Sequence, residues 1–541
     1  MLAKGVVVVP EPGEQRRVRP SFARGARTVA RWSDPVGRYT VCAAVSGVLL
    51  AAGVVTAAGP WDSSGQRTAE RAHAVALGGE HLPPGSAGAG NSGPAGTGSD
   101  TGREPGTAPA AVAVLAGLGT ASDGTGADRA DSAADAPTRA GLERVLGPLL
   151  DDPALGSRRS VAVVDVATGR TLFERGAGTA LLPASTTKIA TGVAALSAMG
   201  PDHRFTTRTV LQPDGEDEGR GKAGAGDKAV EELVLVGGGD PTLTAREKPG
   251  RWASMRELAS LTAAALKRQG VEEVALRYDT SLFKGPEVHP IGINRNISPV
   301  TALMVDEGRA DDSDHGPAPR VADPAAHAAG VFAGLLEKKG IRVGAPAPGR
   351  AAKKADPVAQ VRSAPLAAQV ERMMTNSDND IAEALARQTA AADGREASFA
   401  GGGTAIRAEL KRLGVPLEGV RFADGSGLGR GDRLSARALT RLLTAAADPR
   451  RPELRPVLTG MPVAGFSGTL SARAADGRAA GMVRAKTGTL TGVNTLAGTA
   501  VDAQGRLLAF AFLAEGTPAK YPAEDALDRL AATVAACGCR G

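Results

Sequence analysis

Pro183-Ala184-Ser185-Thr186-Thr187-Lys188 leads into a run whose apolar positions, Ile189, Val193 and Leu196, recur at helical spacing. The hexapeptide therefore reads as the start of a helix carrying Ser185 and Lys188 three residues apart. Positions i and i+3 lie on one helix face, so the hydroxyl and the amine can meet. That pairing suits a serine nucleophile with a built-in base. A lone Ser-x-x-Lys is commonplace in a chain of 541 residues. Its weight comes from two later elements in fixed order, Ser377-Asp378-Asn379 behind a helical stripe and Lys486-Thr487-Gly488 inside a strand pattern. Taken singly, each has an ordinary reading: a first-turn serine, a helix-capping asparagine, a solvated lysine on a strand. Taken together, they assemble the parts of one reaction.

Acyl transfer needs an activated hydroxyl, a site for the oxyanion, a proton shuttle and a substrate clamp. Ser185 supplies the hydroxyl, near a helix N-terminus whose dipole favours developing negative charge. Lys188 acts as base only when neutral, and desolvation or a neighbouring cation lowers a lysine pKa. Lys486 is the expected cation. Ser377 can relay a proton to the leaving group, and Asn379 can orient Lys188 and hold a substrate amide. Lys486 and the hydroxyls of Thr487 and Thr489 can grip a terminal carboxylate. Gly488 lets a substrate lie against the strand. The N–H groups of Ser185 and Thr489 are the expected oxyanion donors. No step requires a metal or cofactor, and no cysteine pair stands near a histidine pair at zinc spacing.

Around this core the chain divides by composition. Residues 1–38 hold eight basic residues against three acids, nearly the whole formal excess of +6. The rest is close to neutral, which argues against a nucleic-acid-binding body. Residues 39–59 carry no charge, and 39–60 are long enough for a transmembrane signal anchor, with a cleaved signal peptide ending near Ala58 as the alternative. The basic flank makes 1–38 a cytoplasmic tail and puts the body outside the cytoplasm in either case. Residues 61–137 are rich in Gly, Ala, Ser, Thr and Pro and read as a disordered linker. Such a tether of roughly 75 residues spans on the order of 50 Å.

The folded body begins at Thr138, a helix N-cap. Leu142, Val145, Leu146, Leu149 and Leu150 form a stripe in a helix that Pro148 should kink or shorten. Val161 to Phe173 reads as a hairpin turning at Thr168-Gly169-Arg170. Residues 205–344 read as inserted accessory material between 138–204 and 345–541. Within it, Gly237-Gly238-Gly239-Asp240-Pro241 is a tight turn rather than a phosphate loop, because no Lys-Ser/Thr follows. The C-terminal part alternates as strands over 482–489, 493–501 and 507–513 and ends in a helix from Ala523. The plan is α+β: an antiparallel sheet closed by N- and C-terminal elements and packed with helices that hold Ser185 and Ser377.

With these elements in order, residues 140–541 resemble a class C low-molecular-mass penicillin-binding protein, a D-alanyl-D-alanine carboxypeptidase/endopeptidase. The resemblance rests on the three motifs, on Gly-Gly-Asp-Pro-Thr-Leu (238–243), on Ile381-Ala382-Glu383 behind Asn379, and on Asp-Gly-Ser-Gly-Leu (424–428) with Arg430. It implies the penicillin-binding-protein/β-lactamase-like transpeptidase fold with an inserted domain. It also implies removal of terminal D-Ala from peptidoglycan stem peptides through an acyl-enzyme, cleavage of cross-links, and acylation by β-lactam antibiotics. Arg430 matches a family position near the substrate side chain. The family's acidic residue ahead of Ser298-Pro299 has no counterpart in Gly292 to Asn296, which leaves diamino-acid preference open. A compact class A β-lactamase is the rival. It has a shorter spacing between the first two motifs and a Glu-x-x-x-Asn that is missing between Asn379 and Lys486. A scaffold protein that keeps the fold without its chemistry is the other.

Overall fold

The computed structural model describes residues 136–212, 230–473, 477 and 479–539. The basic tail, the apolar 39–60 segment and the linker up to residue 135 lie outside the described residues. Among the described residues, no helix is long and apolar enough to cross a membrane.

Helix α1 (Arg139–Leu150) starts where Thr138 Oγ1 accepts the Gly141 N–H at 3.0 Å. Pro148 sits in its last turn without ending it. Strands β1 (Arg158–Asp165) and β2 (Thr171–Arg175) form the expected hairpin, with Gly169 at φ +70° in the turn. The chain then makes a 3-10 turn at Ala184–Thr186 and enters α2 (Thr187–Met199), buried over Thr187 to Leu196.

A second layer follows: β3 (Thr206–Leu211), β4 (Glu231–Val236), α3 (Met255–Arg268), β5 (Glu273–Asp279), α4 (Pro324–Glu337), β6 (Arg342–Val343), β7 (Ala347–Pro348) and β8 (Asp356–Arg362). Its sheet runs β6-β5-β4-β3-β8, with β7 also on β5. Pairing is parallel from β4 to β7 and antiparallel at β3. Helices α3 and α4 cover it through Leu258, Leu266, Phe332 and Leu336. This sheet corrects the expected end of the insert at residue 344. Strand β8 pairs with β3 across Thr206↔Arg362 to Leu211↔Asp356, so the layer closes near residue 362. The strand was hidden because Asp356–Arg362 holds one buried position and no apolar alternation. The glycines at 237–239 pack against the backbone of Ala302 and Thr206 as the chain runs on from β4, and the expected turn falls just after them, at Pro241 and Thr242.

The body resumes with α5 (Leu366–Asn376), α6 (Asn379–Ala392), α7 (Phe399–Arg412), α8 (Ala436–Ala447) and the short α9 (Pro456–Thr459). Strands β9 (Val483–Leu490), β10 (Val493–Val501) and β11 (Leu507–Glu515) then lead into α10 (Lys520–Ala535). The main sheet is β2-β1-β11-β10-β9, antiparallel throughout, so the ends of the body meet at β1 and β11. Helices α2, α5, α6 and α8 bury Ile189, Val193, Val370, Leu385 and Leu439 on one face of it. On the other face α1 and α10 bury Leu142, Leu146, Leu527 and Leu530. Cys537 and Cys539 are disulfide-bonded to each other, and the Cys539 carbonyl accepts the Thr138 N–H.

Candidate active site

Ser185 lies in the 3-10 turn one step before α2, and Ala184 beside it holds φ +46°. A non-glycine residue in that region stores backbone strain of about 1–3 kcal/mol, and such positions cluster at functional sites. Two glycines let other segments close on this turn. A Cβ on Gly427, itself at φ +86°, would stand 1.9 Å from the Ala184 carbonyl oxygen. One on Gly488 of β9 would stand 3.0 Å from the Ser185 nitrogen and 2.2 Å from Thr495 Oγ1. Glycine at 488 thus sets how near the strand runs to the serine.

One turn into α2, Lys188 is fully buried. Its Nζ is 3.2 Å from Ser185 Oγ, 2.6 Å from Asn379 Oδ1 and 2.8 Å from the Ser426 carbonyl oxygen. Three partners around one nitrogen match a tetrahedral amine. In the neutral form two N–H bonds go to Asn379 and Ser426, and the lone pair is left for the Ser185 hydroxyl. Burial pushes the Lys188 ammonium down to about 8, while the carboxylates of Asp424, Glu383, Asp378 and Asp380 pull the other way. Of the two expected causes, loss of water is the one that lowers Lys188, and Lys486 is not among the groups that shift it. Lys486, also fully buried, is held well below its ordinary value by burial first and then by Lys188 and Arg473.

The Ser377-Asp378-Asn379 trio sits at the junction of two helices. Ser377 ends α5 in the left-handed region at φ +58°, Asp378 caps α6 by accepting the Ile381 N–H, and Asn379 is the first residue of α6. The reversal turns Ser377 toward β9, where Lys486 Nζ donates to its Oγ at 2.8 Å. Asn379 is held from its other end, donating Nδ2–H to the Asn296 carbonyl of the insert at 2.9 Å.

Alternation along β9 puts Lys486 and Gly488 on one face and Thr487 and Thr489 on the other. Thr487 Oγ1 meets Thr469 Oγ1 at 2.9 Å, and Thr489 Oγ1 donates to Glu524 of α10 at 3.0 Å. The Thr489 hydroxyl is therefore engaged away from Lys486. Arg430 is exposed and donates to the Thr491 carbonyl in the β9–β10 turn. Ser185, Lys188, Ser377, Asn379, Lys486 and Gly488 are brought together; Thr489 and Arg430 border this group through the strand and its turn.

A layer behind the site was not assigned a role from the sequence. Glu383 accepts the N–H groups of Gly425 and Ser426 at 3.0 and 2.8 Å, which aims the Ser426 carbonyl at Lys188. Asp424 accepts from Gly427 at 2.7 Å and meets His289 Nε2 of the insert at 2.8 Å. Among the described residues, two buried groups have the composition of metal ligands, His289 with Glu383 and Asp424, and Glu307 with Asp378 and Asp380. In the first, the hydrogen bonds just described occupy the donors. In the second, Arg309 and Arg372 hold Glu307, Arg320 holds Asp380 and the Ile381 N–H holds Asp378. Glu383 and Asp424 stand within stretches that carry the family resemblance, but the Glu383 contacts span 42 and 43 positions and the Asp424–His289 contact 135, which no local pattern encodes.

A nucleophile paired with a buried lysine, set between an antiparallel sheet and a helical layer, defines a serine acyl-transferring enzyme of the penicillin-interacting class. The chain belongs to the D-Ala-D-Ala carboxypeptidase 3 (S13) family, whose sequence model matches residues 142–314 and 310–534. It is 36% identical over 419 residues to carboxypeptidase DacB of Mycolicibacterium smegmatis, covering 76% of this chain and 87% of that protein. It is 29% identical over 463 residues to the D-alanyl-D-alanine carboxypeptidase of an Actinomadura species, covering 71% and 83%. The crystal structure of penicillin binding protein 4 (dacB) from Haemophilus influenzae is similar with a TM-score of 0.58 over 72% of this chain and 98% of that one. At 23% identity that likeness speaks to the fold.

Proposed function

We propose that this protein is a serine-type D-alanyl-D-alanine carboxypeptidase/endopeptidase. It removes the terminal D-Ala from peptidoglycan stem peptides through an acyl-enzyme, cleaves cross-links between them, and is acylated by penicillin. The observation that carries the reading is the convergence on Lys188 Nζ of Ser185 Oγ, Asn379 Oδ1 and the Ser426 carbonyl, with Ser377 and Lys486 paired alongside.

Neutral Lys188 takes the proton of Ser185 as Oγ attacks the penultimate D-Ala carbonyl carbon. The oxyanion is met by the backbone N–H groups of Ser185 and Thr489. Ser377, polarised by Lys486, gives its proton to the departing amine and takes up the one Lys188 received, and the C–N bond breaks to leave the Ser185 ester and Lys188 neutral again. Water, deprotonated by Lys188, then attacks the ester and frees the shortened peptide. Lys486 binds the terminal carboxylate from one face of β9, and Thr487, held by Thr469, meets it at the strand edge from the other. Asn379 orients Lys188 and receives the substrate amide, and Arg430 flanks the substrate side chain.

Residues 39–60 anchor the protein in the cell membrane, with 1–38 in the cytoplasm. The body, on its tether of residues 61–137, reaches the wall outside. The charge asymmetry and the uncharged run support this placement. Protease accessibility of the body on intact cells tests it.

Intact-mass spectrometry of the purified protein with penicillin tests the chemistry. A slowly decaying adduct on Ser185 is expected. No adduct and no penicillin consumed, with the fold verified, would overturn it. Fast turnover of penicillin would instead make the protein a β-lactamase.

A further inference from the structure

A cleft of about 560 Å³ opens between the insert and the helix that ends at Ser377. This is within the range of about 300–1,000 Å³ typical of ligand sites. Its walls are the 241–252 segment and the 306–314 loop on one side and α5 with Thr459 and Gly460 on the other. Thr375 and Asn376 line it, so its floor ends at most about 8 Å of Cα trace from Ser377. The mechanism above uses none of this space.

The charges in the lining identify what it would hold. Arg246 is tied to Asp306 at 3.2 Å and to the carbonyls of Asp312 and Ser313. Glu307 is held by Arg309 and Arg372. Lys248 and Arg251 are exposed, and among the described residues neither has an ion-pair partner. Trp252 lines the cleft, with the guanidinium carbons of Arg372 and Arg251 at 5.0 and 5.6 Å from its ring centroid. On the α5 side, Glu371 has a hydroxyl partner, Thr459 at 2.7 Å, and among the described residues no cation pairs with it. The site therefore offers two open cations, an aromatic wall and one open carboxylate. That set matches a peptide, which carries carboxylates for the cations and N–H donors for the carboxylate; a neutral glycan supplies hydroxyls and no charge.

We propose that this cleft binds the second stem peptide of a cross-linked substrate, its carboxylates on Lys248 and Arg251 and a peptide N–H on Glu371. The inference rests on the acyl-enzyme reading above and gives that site its second strand. In cross-link cleavage Ser185 attacks the D-Ala carbonyl, the amide C–N bond breaks, and the leaving amine, protonated through Ser377, belongs to the strand in the cleft. Hydrolysis of the Ser185 ester completes the turnover. A carboxypeptidase substrate has free D-Ala as its leaving group and leaves the cleft unfilled.

The test uses the full-length protein and the double variant Lys248→Ala/Arg251→Ala, both sites being exposed and outside the catalytic group. Losing two charge-assisted contacts should lower kcat/KM on a cross-linked peptide dimer about tenfold or more. Cleavage of a monomeric peptide ending in D-Ala-D-Ala, and acylation by penicillin, should stay within about twofold of wild type. Equal losses on dimer and monomer, or no loss on either, would overturn the proposal. Binding is read separately by calorimetry on penicillin-treated protein, with a free stem tetrapeptide and a neutral glycan fragment as probes. Saturable tetrapeptide binding that the double variant loses is expected; binding of the glycan alone, or of neither, would overturn it. If the wild type neither takes penicillin nor cleaves either peptide, the catalytic reading has failed, and the titration still decides the cleft.

Discussion

Lys188 Nζ lies 2.6 Å from Oδ1 of Asn379, a residue 191 positions further along the chain. The contact crosses from α2 to α6 and fixes the amine between the nucleophile and the Ser426 carbonyl. Removing the amine should remove the base. Lys188→Ala is expected to slow acylation by penicillin about 10²–10⁴-fold, the usual worth of a positioned base. Circular dichroism should show the fold retained, and near-normal acylation would strike Lys188 from the role.

Acylation should follow the protonation of Lys188. Burial pushes that ammonium down to about 8, and only the neutral amine can accept the Ser185 proton. The rate is therefore expected to rise with pH, about tenfold per unit below the midpoint, and to level off above it. Stopped-flow acylation between pH 6 and 10 would check this. A flat profile across pH 8 contradicts it.

Glu383 acts on the same amine through the loop. In Glu383→Gln an amide N–H₂ replaces one of the oxygens that accept from Gly425 and Ser426, leaving buried donors facing each other at a cost of about 1–3 kcal/mol. The Ser426 carbonyl loses its aim and acylation falls. The variant also removes an anion that raises Lys188, so the surviving activity should rise at lower pH than in wild type. A purely structural role would lower the rate without moving the profile.

Lys486 donates to Ser377 at 2.8 Å and is buried beside the strand edge. Lys486→Ala should lower kcat/KM about 10–100-fold for peptides with a free terminal carboxylate, the scale of one lost charged hydrogen bond. Amidated peptides should lose less, since only the Ser377 contact is then removed. Equal losses would contradict the clamp.

Asp432 offers a test of stability against pH. Burial, reinforced by the Asp424 charge, pushes its carboxyl up to about 9 from an ordinary value of 3.8. Between those values the folded chain holds a proton that the unfolded chain releases. Its contribution is present in full below about pH 4 and is lost as pH climbs toward 9. Asp432→Asn removes this drift, so the Tm of the variant relative to wild type should rise from pH 5 to pH 9. A constant difference would assign the proton elsewhere.

The local elements were legible because local physics makes them. Thr138 caps α1 as its position before an apolar stripe implies, and the strand at 507–515 follows a continuous apolar run. Two failures share a cause. Strand β8 has almost no buried side chains to mark it, since its pairing to β3 is made by backbone groups that every residue carries. That Lys486 adds nothing to the Lys188 shift was not legible, because a sequence lists charges but not the burial and distances that decide which cause dominates.

The sequence by itself determined the chemistry: a serine and a lysine at i and i+3, a Ser-Asp-Asn at a helix junction, a lysine and a glycine alternating on one strand face. Those relations are set by helix and strand periodicity, which operate over a few residues. Tertiary structure alone decided the rest. It turned Ser377 onto Lys486, set Glu383 beneath the Ser426 carbonyl, and opened a charged cleft between the insert and α5. Each of these contacts joins segments at least 40 positions apart, and packing of whole layers, rather than any local pattern, brings them into reach.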